Sequence, residues 1–188
     1  MKTKNGGFTL IELVIVIIVL GVLSVTALPK FLDIGQDAHD ATAKSSFAAF
    51  DSAVKLYHSC WLTNGKSGAV QDLACFGDGD IDSSTTGYPL AQSDISNGTK
   101  LQGDYCEEMW TGLLSHNDFK LEGHNNSGGY DDDTSIVYWY AGSEMSNPRT
   151  YCYYNYIADD RSKGAVNWQL HYYPATGETT ITRGALSY

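Results

Sequence analysis

The sequence predicts an α+β fold: a long N-terminal helix, with a membrane half and an amphipathic half, packed on a C-terminal antiparallel sheet of about four strands. Three observations predict it. An unbroken apolar run opens the chain, a helical apolar stripe follows, and the last third alternates with a period of two. The 188 residues, 43% of them hydrophobic, suffice for one ordinary core beyond that run.

The first element begins behind a short basic segment, Met1 to Gly7. Phe8 to Leu28 then runs for 21 residues with a single charge, Glu12. A helix of that length spans about 30 Å, the thickness of a bilayer's hydrocarbon core. Lys2 and Lys4 would hold the preceding segment on the cytoplasmic side. The competing reading is a cleaved secretory signal, for which Val25-Thr26-Ala27 offers a small-residue cleavage site. Against it, the run exceeds a typical signal core and carries a carboxylate near its start. An ionised Glu in hydrocarbon costs about 2.5–3.5 kcal/mol, and a disposable signal has no reason to carry that cost. Gly21 and Pro29 lie in the same helix. Pro29 has no N–H, so the bond to the Val25 carbonyl is lost and a kink or local melting is expected.

Helical periodicity continues past Pro29, for a helix from about Thr9 to about Ser59. Phe47, Phe50, Val54, Tyr57 and Trp61 form a stripe of large side chains suited to a sheet. Phe31, Ile34, Ala38, Ala41 and Ser45 form a second stripe, of mostly small residues, suited to neighbouring helices. Asn64 to Gly103 is rich in Gly, Ser, Asp and Thr and reads as a long surface loop with few apolar anchors. Asp104-Tyr105-Cys106-Glu107 resembles a capping box that opens a short helix through Met109, Trp110, Leu113 and Leu114. Strands are expected over 136–141, 151–157 and 178–183. Another is expected where Val166, Trp168, Leu170 and Tyr172 alternate with Asn167, Gln169 and His171.

Twelve Lys+Arg against 22 Asp+Glu give a net charge of −10, which argues against a nucleic-acid partner and suits a self-repelling exterior. Cys60, Cys75, Cys106 and Cys152 include no C-x-x-C, and no His stands at zinc-ligand spacing. An even count behind an export segment reads as two disulfides. Three pairings are open; Cys60–Cys75 with Cys106–Cys152 is preferred because it closes the short local loop first. Asp78, Asp80 and Asp82 alternate like the start of a Ca²⁺ loop, but Ser83 and Pro89 stand where an EF-hand needs Gly and Glu. A looser Ca²⁺ site there competes with a solvated acidic turn; otherwise no cofactor is expected. Asp131-Asp132-Asp133 reads as a solvated loop. His39, His58, His116, His124 and His171 are scattered, with no nucleophile or metalloprotease motif, so no enzyme activity is expected. His171 falls on the polar side of its strand. Most of the 13 Tyr and 4 Trp fall at packing positions, though Tyr151 to Tyr156 must expose some on one face, where surface adhesion is conceivable.

Gly6-Gly7-Phe8-Thr9-Leu10-Ile11-Glu12-Leu13 behind a short basic leader resembles the processing motif of type IV prepilins and pseudopilins. The resemblance implies a leader over residues 1–7, cleaved after Gly7 by a prepilin peptidase. It implies an N-methylated Phe8 as new N-terminus, a transmembrane and filament-core helix over 8–29, and a pilin head over 30–188. Glu12 would attract the Phe8 amine of a neighbouring subunit. The implied partners are further copies of the chain in a helical filament, the inner membrane before assembly, the pilus machinery, and surfaces or host cells. The implied roles are attachment, motility or biofilm formation; the alternatives are a secretion pseudopilin or a minor pilin, and a secreted sugar-binding module. Gly87-Tyr88-Pro89 after an acidic loop, with the four cysteines, is more distantly similar to the mannose-sensitive haemagglutinin type of pilin.

Overall fold

The computed structural model describes residues 8–65, 67–114, 118–125, 129–162 and 164–186, apart from the side chains of Pro29, Leu32 and Asp33. His116 lies outside them. The chain divides into two compact units between His39 and Asp40, and helix α1, Leu10–Thr63, contributes to both. The later elements are β1 (Asp82–Ser83), β2 (Pro89–Ala91), α2 (Tyr105–Leu113), β3 (Lys120–Gly123), β4 (Thr134–Ala141), β5 (Tyr151–Tyr156), β6 (Val166–Tyr173) and β7 (Glu178–Ala185).

Within the unit that starts at Asp40, the large-residue stripe of α1 makes the core. Phe47, Phe50, Val54 and Tyr57 are fully buried, and Trp61 packs at the edge of the same cluster. Phe50 is the hub: its ring stacks on Trp110 at 5.6 Å and meets Tyr154 at 5.3 Å and Tyr172 at 5.4 Å. The inward residues of β5 and β6 supply those tyrosines, as strand alternation requires. Their hydroxyls are not left dry. Tyr154 donates to the Cys106 carbonyl, Tyr172 to the Pro89 carbonyl and Tyr57 to the Ile81 carbonyl.

The sheet has five strands in the order β3-β4-β5-β6-β7, one more than expected. Strands β4 to β7 are antiparallel neighbours, whereas the extra strand β3 runs parallel to β4. Lys120-Leu121-Glu122-Gly123 has no apolar alternation to announce a strand; charged contacts fix it instead. Lys120 Nζ reaches Asp131 at 2.6 Å and Asp133 at 2.7 Å, and Glu122 accepts from the Thr134 hydroxyl at 2.6 Å. Two carboxylates of the Asp131–Asp133 run therefore anchor the loop that was expected to be merely solvated.

Asn64 to Gly103 is also more than a loop. Leu73, Ile81, Leu90, Ala91, Ile95 and Leu101 are all at most 4% exposed, and β1 pairs with β2 in a small hairpin. Apart from the adjacent Leu90 and Ala91 of β2, the anchors stand apart without periodicity, yet each reaches the core. At the start of α2 the expected capping box does not form: Asp104 makes no side-chain cap. Glu107 instead accepts from the Tyr138 hydroxyl, and Glu108 accepts from the Gln92 and Ser93 amides at 2.8 Å. Tertiary donors have outcompeted the local ones.

Trp168 ties β6 to the first turn of α1 in this unit. Its Nε1 donates to Asp40 at 2.9 Å, and its ring lies between Lys44 Nζ at 4.5 Å and the Arg183 guanidinium at 5.0 Å. Trp168→Phe keeps a smaller ring for both cations and removes the bond to the carboxylate. Urea unfolding of the full chain should report a loss of about 1.5–3 kcal/mol, the range for a hydrogen bond to a charged group.

Candidate functional site

Among its described residues, the N-terminal unit is a helix with no buried core. From Leu10 to Leu28 it is long and apolar enough to cross a membrane, and none of that stretch is buried within the chain. Ile11, Leu13, Ile15, Ile17, Val19, Leu23 and Val25 are each at least half exposed, and together they cover every direction around the axis. A helix apolar on all sides is at rest only in lipid or inside a bundle. Its hydroxyls suit that setting, since Ser24 donates to the Leu20 carbonyl at 2.7 Å and Thr26 to the Leu23 carbonyl at 2.9 Å. The helix runs without interruption through Gly21 and Pro29. A Cβ at Gly21 would meet nothing within 4 Å, so its small size is not demanded by any contact inside the chain.

At the head of this helix Thr9 and Glu12 form the kind of box that the sequence predicts at Asp104 and Glu107. Thr9 precedes the first helical residue, and Glu12 is the third residue of the helix. The Thr9 amide donates to Glu12 Oε2 at 2.8 Å, and the Thr9 hydroxyl donates to the same oxygen at 2.8 Å. In return, the Glu12 amide donates to Thr9 Oγ1 at 3.3 Å. This is a reciprocal capping box of the T-x-x-E type. Glu12 therefore has a second job beside the pairing expected of it. Its negative charge sits where the helix dipole is positive, and it satisfies an amide that would otherwise be stranded in hydrocarbon. Both bonds go to Oε2. Phe8, just ahead of the cap, is 87% exposed; Gly7, the other expected processing residue, lies outside the described residues.

The remaining expected sites are dispersed. The structure joins Cys60 to Cys75 and Cys106 to Cys152, with Cα separations of 6.0 Å and 5.6 Å. The carboxylates of Asp78, Asp80 and Asp82, expected to offer at most a loose Ca²⁺ site, each take a different setting. Asp82 is buried and accepts from the Asp72 amide at 2.8 Å, while Asp80 accepts from Gln92 at 2.7 Å and Asp78 faces solvent. Among the described residues no three His, Cys, Asp or Glu side chains are grouped to hold a metal. Burial rises along the run, from exposed Asp78 through half-buried Asp80 to buried Asp82.

Comparison with known proteins converges on the same segment. The family described as "Prokaryotic N-terminal methylation motif" matches residues 2–28. The chain is 47% identical over 53 residues to the "Type IV narrow pilus major component PilA5" of Thermus thermophilus, covering 28% of this chain and 44% of that one. It is 38% identical over 56 residues to the "Type IV major pilin protein PilA" of Myxococcus xanthus, covering 30% and 26%. It is 40% identical over 73 residues to a "Fimbrial protein" of Neisseria meningitidis, covering 37% and 43%. In each case it spans less than half the length of the curated relative it matches. No solved structure matches. The long helix and mostly antiparallel sheet are consistent with the type IV pilin fold, and residues 2–28 match the N-terminal methylation motif, within which the described part from Leu10 to Leu28 is the apolar helix with its single carboxylate.

Proposed function

We propose that this chain is a structural subunit of a type IV pilus filament, assembling through its apolar N-terminal helix and serving surface attachment, motility or biofilm formation. One observation carries the reading: a helix exposed and apolar on all sides from Leu10 to Leu28, with one carboxylate at its capped head. In the inner membrane, lipid covers that helix; in the filament, the helices of other copies do. A prepilin peptidase would cut between Gly7 and Phe8 and leave Phe8 as an N-methylated amine. That ammonium and Glu12 are each costly alone in an apolar core. Parallel packing that brings one subunit's amine to another's Glu12 lets each offset the other's desolvation. The capping box holds the carboxylate at the helix start before any partner arrives, so less ordering remains to be done on assembly.

Mass spectrometry of the mature chain tests this. The expected N-terminus is N-methyl-Phe8. A mature chain beginning at Leu28 would mean that the apolar run is an ordinary signal, and the filament reading would fall.

A further inference from the structure

Tyr151 to Tyr156 were expected to expose some rings on one face of the sheet, and that face is the one turned away from Phe47 and Phe50. It is aromatic. Alternation along β5 and β6 puts Tyr151, Tyr153 and Asn155 on it beside Gln169, His171 and Tyr173. The Tyr151 ring lies 4.7 Å from His171, 5.2 Å from Tyr173 and 6.5 Å from Tyr153, and all four rings are half-buried. They form a ridge with one shallow depression on either side. The first, about 210 Å³, is lined by Tyr151, Tyr153, Gln169, His171, Ala185 and Leu186. The second, about 290 Å³, has Tyr173 as its wall with Thr150, Thr176, Glu178 and Thr180 around it.

Three features narrow what such a ridge can hold. None of its four rings bears a permanent charge, and burial lowers the His171 pKa, which keeps the imidazole neutral. In a chain of net charge −10, a ridge without a cation does not favour an anionic polymer. Both depressions fall below the roughly 300–1,000 Å³ of sites that enclose a compact ligand. An extended chain lying across both is the better fit. Next to Gln169 in register sits Asn155, fully buried with neither amide atom hydrogen-bonded. An unsatisfied buried amide costs about 1–3 kcal/mol, and the fold alone gives no return for it.

We propose that this face binds a neutral polysaccharide, with Tyr151, His171 and Tyr173 stacking on the C–H faces of successive sugar rings and Gln169 and Thr180 bonding their hydroxyls. Flat apolar ring faces edged by hydroxyls match an aromatic ridge edged by amides and hydroxyls. The site lies wholly within the unit that begins at Asp40 and needs no assembled filament.

Calorimetry on the full chain, dispersed in detergent, tests it with cellohexaose and chitohexaose as neutral probes and an alginate hexamer as the anionic one. The expected result is saturable binding of a neutral hexamer, weakened about tenfold by Tyr151→Ala and retained by Tyr151→Phe, which keeps the ring. His171→Ala should weaken it similarly, which covers the case in which Tyr151→Ala does not fold. Absence of binding to both neutral probes, binding by both alanine variants equal to that of the parent chain, or a preference for alginate would each overturn the proposal. Because subunits are dispersed, these outcomes are separate from whether the chain forms filaments.

Discussion

Glu12→Ala is expected to leave the chain inserted in the inner membrane and to remove filaments from the cell surface. Insertion depends on the apolar run, and losing a carboxylate there removes a cost of about 2.5–3.5 kcal/mol. On the proposed reading, assembly depends on what the carboxylate offers a neighbour's amine. Taking one partner from a buried ion pair costs about 3–5 kcal/mol, because the other charge stays buried and unpaired. Repeated at every subunit, a penalty of at least a hundredfold per contact leaves no filament to shear off. The structure adds a complication, since Glu12 also closes the capping box with Thr9. Two further variants separate the roles. Thr9→Ala weakens the cap, worth about 1 kcal/mol, and leaves the charge, so filaments should persist. Glu12→Gln keeps an oxygen for the Thr9 amide and loses the charge, so it should behave like Glu12→Ala. Immunoblots of sheared-filament and membrane fractions read all three. Filaments from Glu12→Gln at the level of the unmodified chain would show that capping alone suffices and would discard the charge pairing.

The two T-x-x-E-like patterns also show which parts of this fold were legible. A capping box is a local rule, and it holds where nothing else competes. Among the described residues Thr9 and Glu12 have no tertiary partner, so the rule describes them. Asp104 and Glu107 sit among packed elements, where the Tyr138 hydroxyl takes Glu107. The same distinction runs through the head. Phe47, Phe50, Val54 and Tyr57 could be read from spacing because a helix repeats it over several turns, and Leu170 and Tyr172 because a strand does. Leu73, Ile81, Ile95 and Leu101 are buried just as deeply but sit singly in irregular backbone, which has no period to detect. Strand β3 is held by the ion contacts of Lys120, and no local pattern encodes a parallel edge. The aromatic ridge was legible only in part. Tyr and Trp are good strand residues on either face, so their presence did not say which face they occupy.

Breaking the Cys106–Cys152 bridge should destabilise the chain more than breaking Cys60–Cys75. The first closes 46 residues and the second 15. On the chain-entropy estimate these are worth about 4 and about 3 kcal/mol. Burial widens the gap. Cys106 and Cys152 are both fully buried, and the bridge fastens α2 to β5 where Trp110 stacks on Phe50 and Tyr154 bonds the Cys106 carbonyl. Removing its sulfurs leaves a void beneath those rings, an added cost that grows with the volume left behind. Cys75 is exposed, so water fills its place in Cys60→Ala/Cys75→Ala. Stabilities of single domains are typically about 5–15 kcal/mol, so Cys106→Ala/Cys152→Ala brings the head close to unfolding, while the other double variant keeps a usable margin. Urea unfolding followed by tryptophan emission measures both, because Trp110 is fully buried in the native core. Equal midpoints for the two double variants, or a lower one for Cys60→Ala/Cys75→Ala, would show that neither loop length nor burial sets what these bridges contribute.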